Sequence, residues 1–359
     1  MSVFVTGATG FIGRRLVERL LERDDEIHAL ARSQSVGKLE GLAQRLGAGD
    51  RVRPVVGDLS APMLGIDPGW VREHSGAVEH VFHLAAVYDM QASDEADEIA
   101  NVGGTRETVG VANALKASCL HHVSSVAAAG SYVGTFTEAM FDEGQPLPHA
   151  YHRTKFESER IARQESRTPW RVYRPAIVVG DSRTGEMDKV DGPYYFFPLL
   201  EAASQLPSAL RLLAPRLGAT NMVPVDFVAS AIDFLAHEPG LDGRAFHLVN
   251  PQPQPTLEVL NVFAGVAGAP RLTGVLPRAT LDVPMQLGVV REKLLPQLGI
   301  PPAAIDHASF TCTFDSTATR QALAGSGIEV PSLEDYAPVL WNYWKDHMRD
   351  GAGRSGDGG

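Results

Sequence analysis

The chain has 359 residues, a net charge of -11, 44% hydrophobic residues and 21% charged ones. At roughly 150 residues per domain this makes about two domains or one large α/β unit, with no need of a disulfide or metal staple. The composition excludes a wholly disordered chain, and the acidic balance argues against a nucleic-acid binder held by phosphate neutralisation. The two cysteines, Cys119 and Cys312, supply neither a disulfide framework nor a four-cysteine zinc site and are expected to be buried thiols.

The start, Met1 to Gly7, lacks the basic flank and cleavage site of a signal peptide. The stretch Ala117 to Thr137 is free of acid, Lys and Arg, but His121, His122 and several Ser, Thr and Gly residues rule it out as a membrane span. A soluble cytoplasmic protein is the expectation. Nothing in these numbers sets an oligomeric state.

In chain order, Val3 to Thr6 predicts a strand, and Phe11 to Arg23 a helix through the spacing of Leu16, Val17, Leu20 and Leu21. Strands are predicted at Glu26–Ala31, Arg51–Gly57, Val81–Ala85, His122–Ala127 and Trp170–Val179, with a helix over Asn101–Ala117. Such alternation means a parallel sheet with helical crossovers on both faces. From about Gly185 to Gly218 the pattern changes to Pro, aromatic residues and Leu. The α/β pattern returns with Asn221–Val225, a helix from about Asp226 to His237 capped by Asp226, and a strand near Ala245–Val249. The expected domains are an α/β domain over 1–184, completed by about 220–250, and a smaller, mostly helical part over 185–219 and 251–349. The Gly-rich end, 350–359, is expected to be disordered.

Thr6-Gly7-Ala8-Thr9-Gly10-Phe11-Ile12-Gly13 joins the first strand to the first helix. Gly7 permits the tight turn, Gly10 lets a pyrophosphate approach the backbone, and Gly13 lets helix and strand pack closely. The amides at the helix start then face the phosphates, with the helix dipole assisting, and Thr9, Phe11 and Ile12 belong to this cofactor contact. NAD-binding folds usually place Asp or Glu at the end of the second strand, on the ribose hydroxyls. Here Arg32 and Ser33 stand there, with Lys38 six residues beyond Arg32. A guanidinium suits a 2′-phosphate, so NADP(H) is the expected cofactor. Asp58 and Leu59 are expected by the adenine, and Leu84, Ala85 and Ala86, small at the end of the fourth strand, close to the cofactor.

Tyr151 and Lys155 stand four apart, on one face of a helix. A phenol with an unperturbed pKa of about 10 is a poor acid–base group at neutral pH, and a nearby ammonium lowers that value. Lys155 would also hold the nicotinamide ribose. Ser125, at the end of the fifth strand, would hydrogen-bond the substrate oxygen, and Ser124 beside it is expected to contact the cofactor. There are 12 His but no HExxH-type pair, so no metal site is expected. His121 and His122 are expected to be structural.

With these pieces in order, the chain resembles an extended short-chain dehydrogenase/reductase. The matching segments are TGATGFIG at 6–13, GDL at 57–59, HLAA at 83–86, NVGGT at 101–105, VSS at 123–125, YHRTK at 151–155, YRPAIVVG at 173–180 and VPVDFVA at 223–229. The resemblance implies a Rossmann-type doubly wound sheet and a catalytic Ser125, Tyr151 and Lys155. It implies nicotinamide contacts from Pro175, Ile177 and Val178, and support from Asn101. Ala127-Ala128-Ala129-Gly130 stands where sugar-nucleotide epimerases carry Val-Tyr-Gly, which with Arg32 turns the reading away from an NAD-dependent epimerase. VGDSRTGEMDK at 179–189, DGPYYFF at 191–197 and the aromatic segment from Tyr336 to His347 are similar to the N-terminal reductase half of bacterial two-domain fatty acyl-CoA reductases.

That narrower resemblance implies NADPH-dependent reduction of a long-chain acyl thioester or fatty aldehyde, with a separate reductase domain as partner. A long acyl chain needs an apolar groove, worth about 0.8 kcal/mol per buried methylene. Tyr88, Tyr194, Tyr195 and Phe196, with the following leucines, are the candidate lining. The same run serves equally as the small domain's own core, and peripheral membrane contact is a further alternative. A hydroxysteroid or dihydroflavonol-type ketone reductase is the rival enzyme, and a non-catalytic NADP-sensing regulator the rival of another class.

Overall fold

The computed structural model describes residues 1–23, 25–85, 98–188, 192–215, 217–252, 254–277 and 312–349. Seven short runs form one sheet: β1 (Ser2–Thr6), β2 (Glu26–Ala31), β3 (Val52–Val56), β4 (His80–His83), β5 (Cys119–Val123), β6 (Trp170–Pro175) and β7 (Arg244–Leu248). Their order is β3-β2-β1-β4-β5-β6-β7, with every neighbouring pair parallel. Parallel neighbours need crossovers, and the amphipathic segments supply them. The helix Phe11–Glu22 buries Leu16, Val17, Leu20 and Leu21, and the helix Gly104–Leu115 buries Val109, Val111, Ala112 and Leu115. Each fully buried leucine contributes about 2 kcal/mol. The strand order reverses between β1 and β4, and in such sheets ligands bind at the carboxyl ends of the strands there. This is the doubly wound α/β fold the alternation implied.

Four boundaries differ from the sequence pattern. The fifth strand ends at Val123, because Ser125 caps a 3₁₀ turn, Val126–Ala129, by accepting the Ala127 N–H at 3.2 Å. The sixth run divides at Ala176: the Ala176 amide bonds Leu248 O, whereas the Ile177 amide bonds Asn221 O and Ile177–Val179 pairs with Met222–Pro224. One β-branched stretch thus feeds two sheets. The helix expected from Asn101 begins at Gly104 after a π-type turn, Glu98–Gly103, and ends where Lys116 turns left-handed at φ 53°. Asp226 lies within the first turn of the helix Val225–His237 instead of capping it.

The chain divides into two compact units. One comprises Met1–Ala176, Asp226–Val249 and Phe314–Ile328, and the other Ile177–Val225, Asn250–Thr313 and Glu329–Gly359. In the second unit Phe197 is fully buried, with Tyr194, Phe263, Trp341 and Trp344 at ring distances of 4.7 to 5.5 Å. Leu199, Leu206, Leu210 and Leu213 of the same unit stay exposed. The tail 350–359 lies outside the described residues. No helix among the described residues is long and apolar enough to cross a membrane.

Candidate active site

The glycine turn sits where the strand order reverses. Gly7 has φ +77°, and a Cβ there would lie 2.7 Å from the Ala85 amide nitrogen, just past β4. A Cβ on Gly13 would lie 1.9 Å from Gly7 O, so only glycine lets the helix start this close to the turn. Gly10 stands at the N-cap with no side-chain cap, and the first helical turn carries no acidic residue. A helix start of that kind presents amides and the positive dipole end to an anion without a competing carboxylate. A dinucleotide pyrophosphate fits this cradle. Thr9, Phe11 and Ile12 border it and are partly exposed.

Beyond the ends of β2 and β3 lies an open cavity of ≈ 230 Å³ lined by Arg32, Ser33, Gln34, Val56, Gly57, Asp58 and Gly65. Arg32 and Ser33 are exposed, free to meet a 2′-phosphate. The Ser60 hydroxyl and amide, both bonded to Asp58, hold its carboxyl below the usual range, and Arg32 adds to this. Gln34 and Gly65 escaped the sequence reading. Lys38 is exposed on the helix Val36–Arg45 and is absent from the cavity lining. Leu59 packs against the core of the first unit. Leu84 and Ala85 are half-buried beside the glycine turn, and Ala86 and Tyr88 fall outside the described residues.

Tyr151 and Lys155 lie on the helix Ala150–Gln164, with the Lys155 ammonium 6.0 Å from the centre of the Tyr151 ring. That helix packs on the 3₁₀ turn capped by Ser125. The three residues expected to carry the chemistry thus come from two elements in mutual contact. Ser124 is expected at the cofactor, but its hydroxyl donates to Glu159 at 2.7 Å. Asn101 is buried in the π-type turn, where its carbonyl accepts the Ser158 hydroxyl at 2.5 Å. Pro175 is buried at the end of β6. Ile177 and Val178 belong to the second unit, as do Tyr194, Tyr195 and Phe196. Tyr194 is a core residue whose hydroxyl accepts the Gly180 amide at 2.9 Å, whereas Tyr195 and Phe196 are partly exposed.

Behind the helix that bears Tyr151 and Lys155 is an ion cluster that the sequence reading missed. Glu159 is fully buried and accepts from Arg174 at 2.6 Å, from Arg163 Nε at 2.8 Å and from Ser124. Burial pushes its carboxyl up, but the Arg174 and Arg163 guanidiniums outweigh that and hold it at about 2. The signal was available: Glu159 stands four residues past Lys155, on the same face. His122, also fully buried, stacks on His83 at 5.4 Å, and neither of its ring nitrogens has a hydrogen-bond partner among the described residues. Burial, aided by the Lys155 ammonium, pushes His122 down to about 3. Cys119 and Cys312 are buried thiols, raised to about 12 and about 11 by burial. Among the described residues no group of three or more His, Cys, Asp or Glu is placed to hold a metal.

Comparison with known proteins adds to this geometry. A family described as male sterility protein matches residues 5–232. The chain is 30% identical over 270 residues to a linear gramicidin synthase protein of Brevibacillus parabrevis, covering 70% of this chain and 5% of that protein. It is 28% identical over 271 residues to the aldehyde reductase lnbA of Aspergillus flavus, covering 69% of this chain and 26% of that protein. The chain therefore spans a minor part of the length of these curated relatives. The crystal structure of the terminal R domain from the myxalamid PKS-NRPS biosynthetic pathway matches with a TM-score of 0.80 at 25% identity, covering 97% of this chain and 91% of that one.

Proposed function

The chain belongs to the extended short-chain dehydrogenase/reductase family, in its male sterility protein group, and we propose that within it the protein is an NADPH-dependent reductase of acyl carbonyls. It is an oxidoreductase with a nicotinamide dinucleotide as cofactor. The substrate we assign is an apolar, long-chain acyl group, presented as a thioester or as the free aldehyde. The observation that carries the reading is the shared helical face of Tyr151 and Lys155, on a helix packed against the turn that Ser125 caps. The name of one relative, an aldehyde reductase, favours aldehyde chemistry. Exposed Leu199, Leu206, Leu210 and Leu213 favour an apolar chain.

A bound NADPH supplies hydride to the carbonyl carbon. Ser125 donates a hydrogen bond to the carbonyl oxygen and orients it. Tyr151 gives its phenolic proton to that oxygen as charge develops there. Lys155 stabilises the phenolate left behind. With an aldehyde the product is an alcohol. With a thioester, reduction would give a hemithioacetal, which would expel thiol to leave the aldehyde, and reduction of that aldehyde at the same Ser125, Tyr151 and Lys155 would give the alcohol. Arg32, exposed at the cavity rim with no acidic residue at that strand end, supports NADPH over NADH.

NADPH oxidation tests this with a long-chain aldehyde, the matching acyl-CoA, a steroid ketone and a UDP-sugar. Turnover is expected on the first two. Tyr151→Phe is expected to abolish it while NADPH affinity stays within a few-fold. Turnover on the steroid ketone alone, or full activity in Tyr151→Phe, would overturn the assignment.

A further inference from the structure

Between the glycine turn and the catalytic helix lies a buried row of polar side chains that the chemistry above leaves unused. Thr6 Oγ1 lies 2.8 Å from His83 Nδ1, and His83 Nε2 lies 2.9 Å from Thr105 Oγ1. Thr105 Oγ1 lies 2.5 Å from Asn101 O, which also receives the Ser158 hydroxyl at 2.5 Å. Every one of these residues is buried.

Proton counting gives the row a direction. The single Thr105 hydroxyl proton goes to Asn101 O, a carbonyl that can only accept. Thr105 Oγ1 must therefore accept from His83, which places a proton on Nε2. Burial drives His83 well below its ordinary pKa, so the ring is neutral and Nδ1 is a bare acceptor. Thr6 then donates to Nδ1, and its own oxygen accepts the Ala85 amide at 3.4 Å. Thr108, 3.4 Å from Nδ1, spends its proton on Gly104 O at 2.7 Å. Asn101 O accepts from both the Thr105 and the Ser158 hydroxyl. Ser158 stands three residues past Lys155 and seven past Tyr151, on the same helical face.

We propose that His83 and Thr105 are positioning residues: through Asn101 and Ser158 they hold the face bearing Tyr151 and Lys155 at a fixed distance from the phosphate turn that follows Thr6. The proposal rests on the reading of Tyr151 and Lys155 given above. Both ends of the row are backbone landmarks of the site. One end is the residue before Gly7, where the pyrophosphate is cradled, and the other is the helix that must present a phenol to the carbonyl. A neutral imidazole, with one donor and one acceptor nitrogen, passes a hydrogen bond through in one direction without carrying charge.

Two measurements test it. In steady-state kinetics, Thr105→Val keeps the volume and removes the hydroxyl, and Thr105→Ser keeps the hydroxyl and removes a methyl. Thr105→Val is expected to lose kcat by roughly ten- to a hundred-fold, the range of an ångström-scale misplacement, with NADPH Kd unchanged within about three-fold. Thr105→Ser is expected to recover most of that loss. The opposite ranking would make the site one of packing and overturn the proposal, as would equal losses in kcat and in NADPH affinity. Should Thr105→Val fail to fold, Ser158→Ala is expected to show the same split, and wild-type kcat in it overturns the proposal. Nitrogen-15 NMR of histidine-labelled protein reads the row without turnover, with His83→Gln assigning the signal. The Nε2–H tautomer, unchanged from about pH 8 to pH 5, is expected; an Nδ1–H tautomer, or titration near the free value of about 6.5, overturns it. A wild type that turns over no carbonyl would sink the functional reading while the NMR result still decides the row.

Discussion

Two parts of the first unit use the same groups, carboxylates and guanidiniums, under opposite conditions. Behind the helix bearing Tyr151 and Lys155, Glu159 and Arg174 are fully buried and bonded to each other twice over. At the open cavity beyond β2 and β3, exposed Arg32 and partly exposed Asp58 line the rim. In water a unit charge pair at 4 Å is worth about 1 kcal/mol, and burial multiplies both that attraction and the penalty for breaking it. The buried cluster is therefore a matter of stability and geometry, and the exposed rim a matter of ligand choice. The same kind of substitution should have different size and different readout in the two places.

The largest effect is expected from Glu159→Gln. It keeps the shape and leaves Arg174 and part-buried Arg163 with no buried anion, which costs about 3–5 kcal/mol. Urea unfolding should show the midpoint falling sharply. A loss under about 1 kcal/mol would mean the buried cluster behaves like a surface pair, and the contrast between the two regions would collapse.

Acid should separate the regions next. His83, His122 and His247, all beside this cluster or the catalytic helix, have pKa values lowered first of all by burial. Below about pH 6.5 the unfolded chain takes up protons that these folded rings refuse, so stability falls as pH drops, by up to about 1.4 kcal/mol per pH unit for each. Glu159 acts lower. Its folded pKa of about 2 sits below the ordinary 4.5, so its contribution is complete above the ordinary value and fades as pH falls toward 2. Glu138, raised by burial, works the other way and offsets part of the loss. Urea midpoints should thus decline from pH 7 to pH 5 before any carboxylate of the cluster titrates. His122→Phe, which removes a ring with no hydrogen-bond partner among the described residues, should flatten that decline. A flat wild-type profile would break the argument.

At the rim the effect moves from stability to binding. Arg32→Asp should weaken NADPH by roughly ten- to a hundred-fold, the worth of one or two charge-assisted hydrogen bonds, and leave NADH nearly untouched. The unfolding midpoint should stay put. Equal loss for both nucleotides would remove Arg32 from 2′-phosphate recognition.

The contrast also explains what could be read in the sequence. Strand runs and glycine spacing obey local rules, so the strand runs of the parallel sheet and the Gly7 and Gly13 turn were legible, and the shared helical face of Tyr151 and Lys155 followed from a four-residue spacing. Ser125 reads as strand because Val123 and Val126 flank it, but a hydroxyl that can cap a turn overrides β propensity. Glu159 shares the face of Lys155, which hints at burial, but its partner Arg174, fifteen residues on in the strand β6, is not visible in any local pattern. The row through His83 depends on strand register, which places Thr6 opposite His83, and no local pattern encodes register. Met63 and Leu64, with φ 51° and 57°, lie in a conformation that neither residue type announces.

Those last two residues lead to the smallest prediction. Backbone in the left-handed region is unfavourable for a side chain with a Cβ and persists only where neighbours over-determine it. The segment Pro62–Gly65 is held at two points: Leu64 O accepts the Asp58 amide at 2.8 Å, and the Met63 amide donates to Glu107 at 2.6 Å. Gly65, at its end, lines the cavity beyond β2 and β3, as does Asp58. Glu107 comes from the helix Gly104–Leu115 and grips the turn at Met63, two residues before Gly65, so its effect on a nucleotide in that cavity would run through the turn. Removing it frees one end of a strained loop at a partly exposed site. Glu107→Ala should therefore raise NADPH and NADH Kd alike by about three- to five-fold, leave kcat near wild type, and move stability by no more than about 1 kcal/mol. Glu107→Gln, which keeps an acceptor for the Met63 amide, should restore most of the affinity. If alanine and glutamine behaved identically, the carboxylate would have no grip on the turn, and the rim would owe its shape to Asp58 and Leu64 alone.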